Sequence, residues 1–369
     1  MKVNQVEFSF IYAYRNREPE RIKATIESLS NQKIQNFEVL FIDYGSLPEF
    51  AEATERILLK YSFATYYYVG HKGLLWCKSK AINYGITRAT KDQIFISDTD
   101  LLFREDFTKL LQQVKSEEAF SIFKIAYLSS NLSIAKATSL LFDKRPYSHI
   151  GDTFGVALFP KHALIEVRGL DTFFHFYGSE DSDLNARLLQ AGYKQELQEG
   201  IYLQHIWHPR YPQKSREFLT VEPRLKNILR INQVHFLESV RLKRIKSYSD
   251  NSFGYTHKLE DYIVLLAPTY IHRIENIAAA LDHFCHFELD NLSNHIVKLS
   301  VQQGRYYKSL KYYLKKLLRK ETQLYINMKE VNDRILQCIL FRFRDYNYKY
   351  FVHENLKQID FVVDLRKKV

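Results

Sequence analysis

The sequence predicts an α/β protein with a mostly parallel central sheet, followed by a helical C-terminal domain. Two observations predict it. Over residues 6–100, short β-branched and aromatic runs alternate with helix-periodic runs, as βαβαβ units do. From about residue 235, long apolar-periodic stretches (259–289, 305–320, 324–344) carry few Gly or Pro. Residues 1–235 are therefore expected to form one domain and 236–369 a basic α-helical extension.

The elements follow in order. VEFSFIYAY (6–14) reads as the first strand, and ERIKATIESLSNQ (20–32) carries Ile22, Ile26 and Leu29 at helical spacing. FEVLFIDYG (37–45) is an apolar run of the kind a buried parallel strand shows. Residues 49–60 read as helix, 63–69 as strand, 78–89 as helix and QIFISDTD (93–100) as strand. Parallel sheets bind ligands at the C-terminal ends of their strands. Polar clusters fall at three such ends, at 15–18, 43–46 and 98–100.

The 369 residues suffice for a full core. The 26 Tyr and 26 Phe suit a core, sugar platforms or an adhesive surface. Cys77, Cys285 and Cys338 lie far apart, without the spacing of a zinc site or a disulfide framework, and are expected as buried thiols. No window of 18 apolar residues occurs and the N-terminus does not read as a signal peptide, so a cytoplasmic location is expected. Charge is uneven. Residues 1–240 hold 30 Lys+Arg against 28 Asp+Glu, whereas 241–369 hold 23 against 14. An acidic partner should meet the C-terminal third.

Four constellations carry chemistry. Asp98 and Asp100 flank Thr99 after an apolar strand. Alternation along a continuing strand would put both carboxylates on one side, where a divalent cation bridging a diphosphate offsets their repulsion. A bare pair also fits a solvated turn. Glu180, Asp181 and Asp183 precede a helical pattern, either as acids favoured at a helix N-terminus or as a source of a general base. His205 and His208 can share a metal only if the chain turns between them. Arg15 and Arg17 suit a diphosphate, or a solvated loop.

These clusters, in this order, resemble the animal β1,4-galactosyltransferases and their bacterial relatives in glycosyltransferase family 2, over about residues 8–210. FIYAYRNRE (10–18) looks like the strand and arginine signature that holds UDP. WCKSKAINYG (76–85), with Lys78, resembles the FNRAKLLNVG segment, and SDTDLLF (97–103) the metal and donor motif. FGVALF (154–159), with Gly155, is similar to the donor-sugar loop. GLDTFFHFYGSEDSDL (169–184) resembles the acceptor and base segment, and QHIWH (204–208) falls where the family has a Met-x-x-His metal pair. The resemblance implies a GT-A nucleotide-sugar-binding fold. It implies Asp100 and His208 as metal ligands, with His205 a third, and Asp98 on the donor sugar or ribose. Arg15, Arg17 and Lys78 would contact the nucleotide, Asp43 the uridine and Gly155 the donor. Asp181 would be the catalytic base, with Glu180 binding the acceptor.

Departures leave the acceptor open: His175 and Tyr177 replace acceptor-site tryptophans, Ser182 replaces an acid, and Tyr44 follows Asp43 where a second acid is common. The implied activity is inverting transfer of a hexose or N-acetylhexosamine from a UDP-sugar to a saccharide acceptor, in bacterial capsule or lipopolysaccharide synthesis. Mn²⁺ (or Mg²⁺) is the implied ion, although two imidazoles and a carboxylate would also suit zinc or iron. Residues 209–235 read as a lid over the donor. The rival reading is a basic nucleic-acid- or membrane-binding protein without transferase activity. It rests on RYYKSLKYYLKKLLRK (305–320), whose Tyr306, Leu310, Tyr313, Leu314 and Leu317 also fit an amphipathic helix with a basic face. Residues 241–369 are expected to meet a membrane surface, at the inner face of the membrane, or an assembly partner, rather than nucleic acid.

Overall fold

Strand β1 (Phe8–Tyr14) forms from FSFIYAY and is buried almost throughout, as a strand covered on both faces must be. In helix α1 (Pro19–Ser30), Pro19 occupies the first turn, where a missing N–H is harmless. The buried residues of α1 include Ile22, Ile26 and Leu29. Strand β2 (Phe37–Tyr44), helix α2 (Pro48–Leu58), strand β3 (Ala64–Val69), helix α3 (Lys78–Arg88) and strand β4 (Gln93–Ser97) complete the alternation. β1 pairs in parallel with β2 and β4, and β2 with β3. Gly85 lets α3 approach β1: a Cβ there would lie 2.5 Å from a methyl of Ile11. The computed structural model describes residues 7–209, 217–248 and 253–366, so part of the expected lid, 210–216, lies outside the described residues.

The chain continues through β5 (Leu101–Phe103), α4 (Phe107–Val114), β6 (Ala119–Leu128), α5 (Ile134–Ser139), β7 (Tyr147–Pro160), α6 (Lys161–Glu166), α7 (Glu180–Gln190), β8 (Lys194–His205) and α8 (Ile228–Arg241). The sheet order is β3-β2-β1-β4-β7-β6-β8-β5. β7 runs antiparallel to β4 and β6, and β5 antiparallel to β8, while β6 and β8 are parallel. Much of the aromatic excess is core. Phe10, Phe37, Phe95, Phe103, Phe107 and Phe123 are all buried. Their rings meet edge-on or tilted, Phe10 and Phe95 with centroids 5.0 Å apart and Phe95 and Phe107 5.1 Å apart. Such pairs add about 0.5–1.5 kcal/mol each beyond area burial.

The chain divides into two compact units. One comprises Met1–Gly70, Trp76–Tyr211 and Leu229–Thr256, the other His71–Leu75, Pro212–Ile228 and His257–Val369. The first unit extends past the expected boundary at 235 because the chain through α8 still packs within it. Asn232 donates to the carbonyls of His175 and Tyr177, and Ser247 to that of Arg168.

The second unit corrects the expectation of a wholly helical extension. It does contain helices: α9 (Leu259–Val264), α10 (Ala278–His286), α11 (Leu310–Leu317) and α12 (Met328–Cys338). It also holds a sheet of β9 (Tyr270–Glu275), β10 (Ile296–Gln302), β11 (Tyr348–Val352) and β12 (Gln358–Asp364), in the order β11-β12-β10-β9. β9 sits inside the expected helical stretch 259–289. The runs IVKLSVQ and QIDFVVD are rich in β-branched residues and lie outside the helix-periodic windows, the first in the gap between 289 and 305 and the second beyond 344, where a short buried strand leaves little periodic signal.

Candidate functional site

The site of the first unit begins at the end of β4. The expectation that Asp98 and Asp100 share one side of a strand is corrected, because β4 ends at Ser97 and both acids lie in the turn that follows. Free of strand alternation, the two carboxylates go to different partners.

Asp100 is buried and meets two imidazoles. His205 Nε2 lies 3.2 Å from its Oδ1 and His208 Nε2 2.9 Å from its Oδ2. Two backbone features bring them together. Leu101 of β5 registers with His205 at the end of β8, and the Ile206 N–H donates to the Asp100 carbonyl at 2.8 Å. The chain then leaves the strand, which is the turn that lets residues three apart face one point. Burial opposes charge on Asp100, but the two imidazoles outweigh it and hold the carboxyl well below the usual range. Burial likewise opposes charge on His205, and Asp100 overrides it to raise the imidazole.

One carboxylate and two imidazoles offer ligand atoms all within 4.8 Å of one another. Spacings of 2.9 and 3.2 Å suit neighbouring ligands about 2.1 Å from a shared ion. The residues therefore fit a divalent transition metal.

Asp98 turns to Lys78, the first residue of α3, whose Nζ lies 3.1 Å from Asp98 Oδ1 and 3.7 Å from Asp181 Oδ1. Burial disfavours the ammonium, but Asp181, Asp98 and Glu180 together raise it above its ordinary value. Lys78 thus ties the DTD turn to the start of α7.

Asp181 and Glu180 open α7, after a segment of unusual backbone. Phe176, Gly178 and Ser179 have φ of 63°, 103° and 71°, and each non-glycine residue so placed costs on the order of 1–3 kcal/mol. The segment is held by Asn232 and by the Phe176 N–H, which donates to the Trp76 carbonyl at 2.9 Å. The Glu180 carboxylate accepts from the Gly178 N–H at 2.9 Å. Burial first, and Asp181 second, push its carboxyl up to about 7 despite Lys78. Burial also raises Asp181, opposed by Lys78 and assisted by Asp98. Gly155 on β7 abuts the same carboxylate, since a Cβ there would lie 2.3 Å from Asp181 Oδ2.

A third group sits at the ends of β1 and β2. Arg15 and Arg17 follow β1, and Arg15 lies in electrostatic reach of Asp43. Asp43 is fully buried. One of its oxygens accepts from the Ser46 N–H at 2.8 Å and the other from the Tyr66 hydroxyl at 2.7 Å.

The predicted residues thus fall into three groups: Asp100, His205 and His208; Asp98, Lys78, Gly155, Glu180 and Asp181; and Arg15, Arg17 and Asp43. Sequence reasoning did not foresee that Lys78 bridges two acids, nor that Asp183 is structural. Asp183 pairs with Arg187 at 2.7 Å, both buried, and Arg187 also donates to the carbonyls of Val167 and Gly169, each at 2.7 Å. The i, i+4 spacing of Asp183 and Arg187 was the available signal.

Residues 9–163 match the profile of glycosyl transferase family 2, and residues 136–210 that of the N-terminal domain of galactosyltransferase. Similar solved structures include the mannosyltransferase PcManGT from Pyrobaculum calidifontis in complex with GDP-Man and Mn²⁺. It shows 15% identity and a TM-score of 0.40 over 57% of this chain and 59% of that one, less than two thirds of that protein's length. TarS 1–349 from S. aureus, in complex with UDP, shows 11% identity and a TM-score of 0.45 over 78% of this chain and 74% of that one. No curated protein matches significantly.

Proposed function

From the premise that this chain is a GT-A glycosyltransferase of family 2 and galactosyltransferase type, we propose an inverting, metal-assisted transfer from a UDP-sugar to a saccharide acceptor. That premise sets aside the rival of a binding protein without transferase activity. The observation that carries the proposal is the Lys78 ammonium, which joins Asp98 of the DTD turn to Asp181 at the head of α7. It makes the donor acid and the candidate base neighbours in one site.

In the proposed mechanism Asp181 accepts the proton of an acceptor hydroxyl as that oxygen attacks the anomeric carbon. The bond from that carbon to the diphosphate breaks, its electron pair leaving with UDP. The transition state is oxocarbenium-like, as in glycoside hydrolysis. Lys78, Arg15 and Arg17 offer cationic contacts to the diphosphate, with Asp98 and Gly155 beside the donor sugar and Asp43 at the uridine end. Glu180 takes an acceptor hydroxyl. A divalent ion held by Asp100, His205 and His208, Mn²⁺ or Mg²⁺, would supply positive charge for the departing diphosphate.

The donor is proposed to be a UDP-hexose or UDP-N-acetylhexosamine, and the setting synthesis of a bacterial surface polysaccharide in the cytoplasm. Three free, buried cysteines suit a reducing compartment. Among the described residues no helix is long and apolar enough to cross a membrane. The test is a panel of UDP- and GDP-sugars with saccharide acceptors, with Mn²⁺ or with chelator. UDP release that needs metal, with an inverted anomeric centre in the product by NMR, is expected. Retention of configuration, or undiminished turnover in chelator, would overturn the proposal.

A further inference from the structure

Helix α11 presents its apolar side outward. Its eight residues carry Leu310, Tyr313, Leu314 and Leu317 at i, i+3, i+4 and i+7, one face of a helix. These four are 82%, 53%, 52% and 78% exposed, and Leu318 beyond the helix is exposed too. The only buried residue of the helix, Tyr312, lies on the opposite side. Its ring packs against Tyr306, Tyr307 and Tyr325 with centroids 5.8, 5.9 and 6.0 Å away. Ser309 caps the helix by accepting the Tyr312 N–H at 3.2 Å. An ordinary surface helix buries its leucines and exposes its lysines; here an aromatic anchor holds the helix so that four large apolar groups meet water.

The charge around this face is of one sign. Lys311, Lys315, Lys316, Arg319 and Lys320 lie within ten residues, and no acid occurs from 305 to 320. None of these five cations forms an ion pair among the described residues, whereas Lys298 and Lys329 of the same unit pair with Asp360 and Asp333. Lys311, Lys315 and Lys316 lie outside the arc of the leucines, so their long stems can reach past it to an anionic layer. A second copy of this chain fits badly, because apposing two such faces would set the same five cations against each other. A surface offering an apolar interior beneath a negatively charged layer satisfies both features at once.

We propose that α11 is an interfacial anchor that seats its Leu310–Tyr313–Leu314–Leu317 face in an anionic lipid bilayer, with the flanking lysines and arginine on the headgroups. The surface is independent of the transferase chemistry, and its test reads binding rather than turnover.

The test is flotation of the full-length protein with vesicles of phosphatidylglycerol mixed with phosphatidylcholine, beside vesicles of phosphatidylcholine alone. Wild type is expected to float with the anionic vesicles, to bind the neutral ones far less, and to be released by salt. The double substitution Leu314→Ser, Leu317→Ser leaves the charge unchanged and should weaken anionic-vesicle binding at least about tenfold. The triple substitution Lys311→Gln, Lys315→Gln, Lys316→Gln keeps the apolar face and should weaken it on the order of a hundredfold at low salt. All substituted residues are exposed or half-exposed, so thermal melts should match wild type. Wild type that stays with the unbound fraction overturns the proposal, as does a leucine variant that floats like wild type. Sedimentation showing a vesicle-free dimer that the leucine variant dissolves would also overturn it, in favour of a second copy.

Discussion

Replacing Gly155 with Ala tests how closely the site is built around Asp181. Gly155 lies in a strand and its φ is not positive, so alanine meets no backbone penalty there. The new methyl, however, would lie 2.3 Å from Asp181 Oδ2 and 2.8 Å from its Cγ. An ordinary contact needs about 3.4 Å, so the carboxylate must retreat by about 1 Å, and a misplacement of that size costs on the order of 10²-fold in turnover. The strand cannot yield easily, since Val156, Ala157 and Leu158 beside it are buried. The carboxylate can, because it ends a side chain that is partly exposed. Gly155→Ala should therefore fold, with stability within about 1–2 kcal/mol of wild type, yet lose about 10² in kcat. In an Asp181→Asn background the same substitution should add little, because the two act on one group. The assay is steady-state kinetics of the single and double variants beside thermal melts. A Gly155→Ala enzyme with kcat near wild type would refute the reasoning.

Three further outcomes follow from the geometry. Asp183→Asn should lower stability by about 3 kcal/mol in denaturant titrations, because it leaves the buried Arg187 guanidinium without its counter-charge; unchanged stability would remove the structural role given to the pair. His205→Ala and His208→Ala should each weaken Mn²⁺ binding in calorimetric titration by about 10²-fold or more, above the range typical of outer partners of a metal site; unchanged affinity for both would sink the metal assignment. Glu180 binds its proton more tightly folded, near pH 7, than its ordinary value of 4.5. The folded state thus holds the extra proton between these values, and stability falls as pH rises through the window, by about 3 kcal/mol in all. Glu180→Gln should flatten melting temperature against pH from 5 to 8, and a slope equal to that of wild type would contradict the assignment.

The half of the sheet formed by β1 to β4 was legible because its strands are apolar and its helices amphipathic, so each element announces itself locally. The polar residues that end β1, β2 and β4 were legible for the same reason, since a strand end is a position in sequence. What escaped depends on partners distant in sequence. Asp98 and Asp100 look like a matched pair until β4 stops at Ser97, after which Lys78 claims one and the two histidines the other. Asp183 is the exception: it looks like a member of an acidic cluster, although Arg187, which closes on it, stands only four residues on. β9 to β12 escaped because polar residues interrupt their short runs, His272 and Arg273 in β9, Lys298 and Ser300 in β10, Lys349 in β11 and Asp360 in β12, so none stands out as β1 and β4 do. α11 was foreseen as amphipathic, but the side that faces outward depends on where Tyr312 finds its aromatic partners.

The central claim is that Asp181 removes the acceptor proton while other residues hold the donor. Kinetics of Asp181→Asn beside calorimetric UDP titration test it most directly. The asparagine keeps the size of the side chain and most of its hydrogen bonding, but not the basic carboxylate. The account predicts a kcat lower by at least about 10²-fold, the low end for a general base, with UDP and Mn²⁺ affinity little changed. Near-normal turnover, or loss of UDP binding in a folded variant, would contradict it.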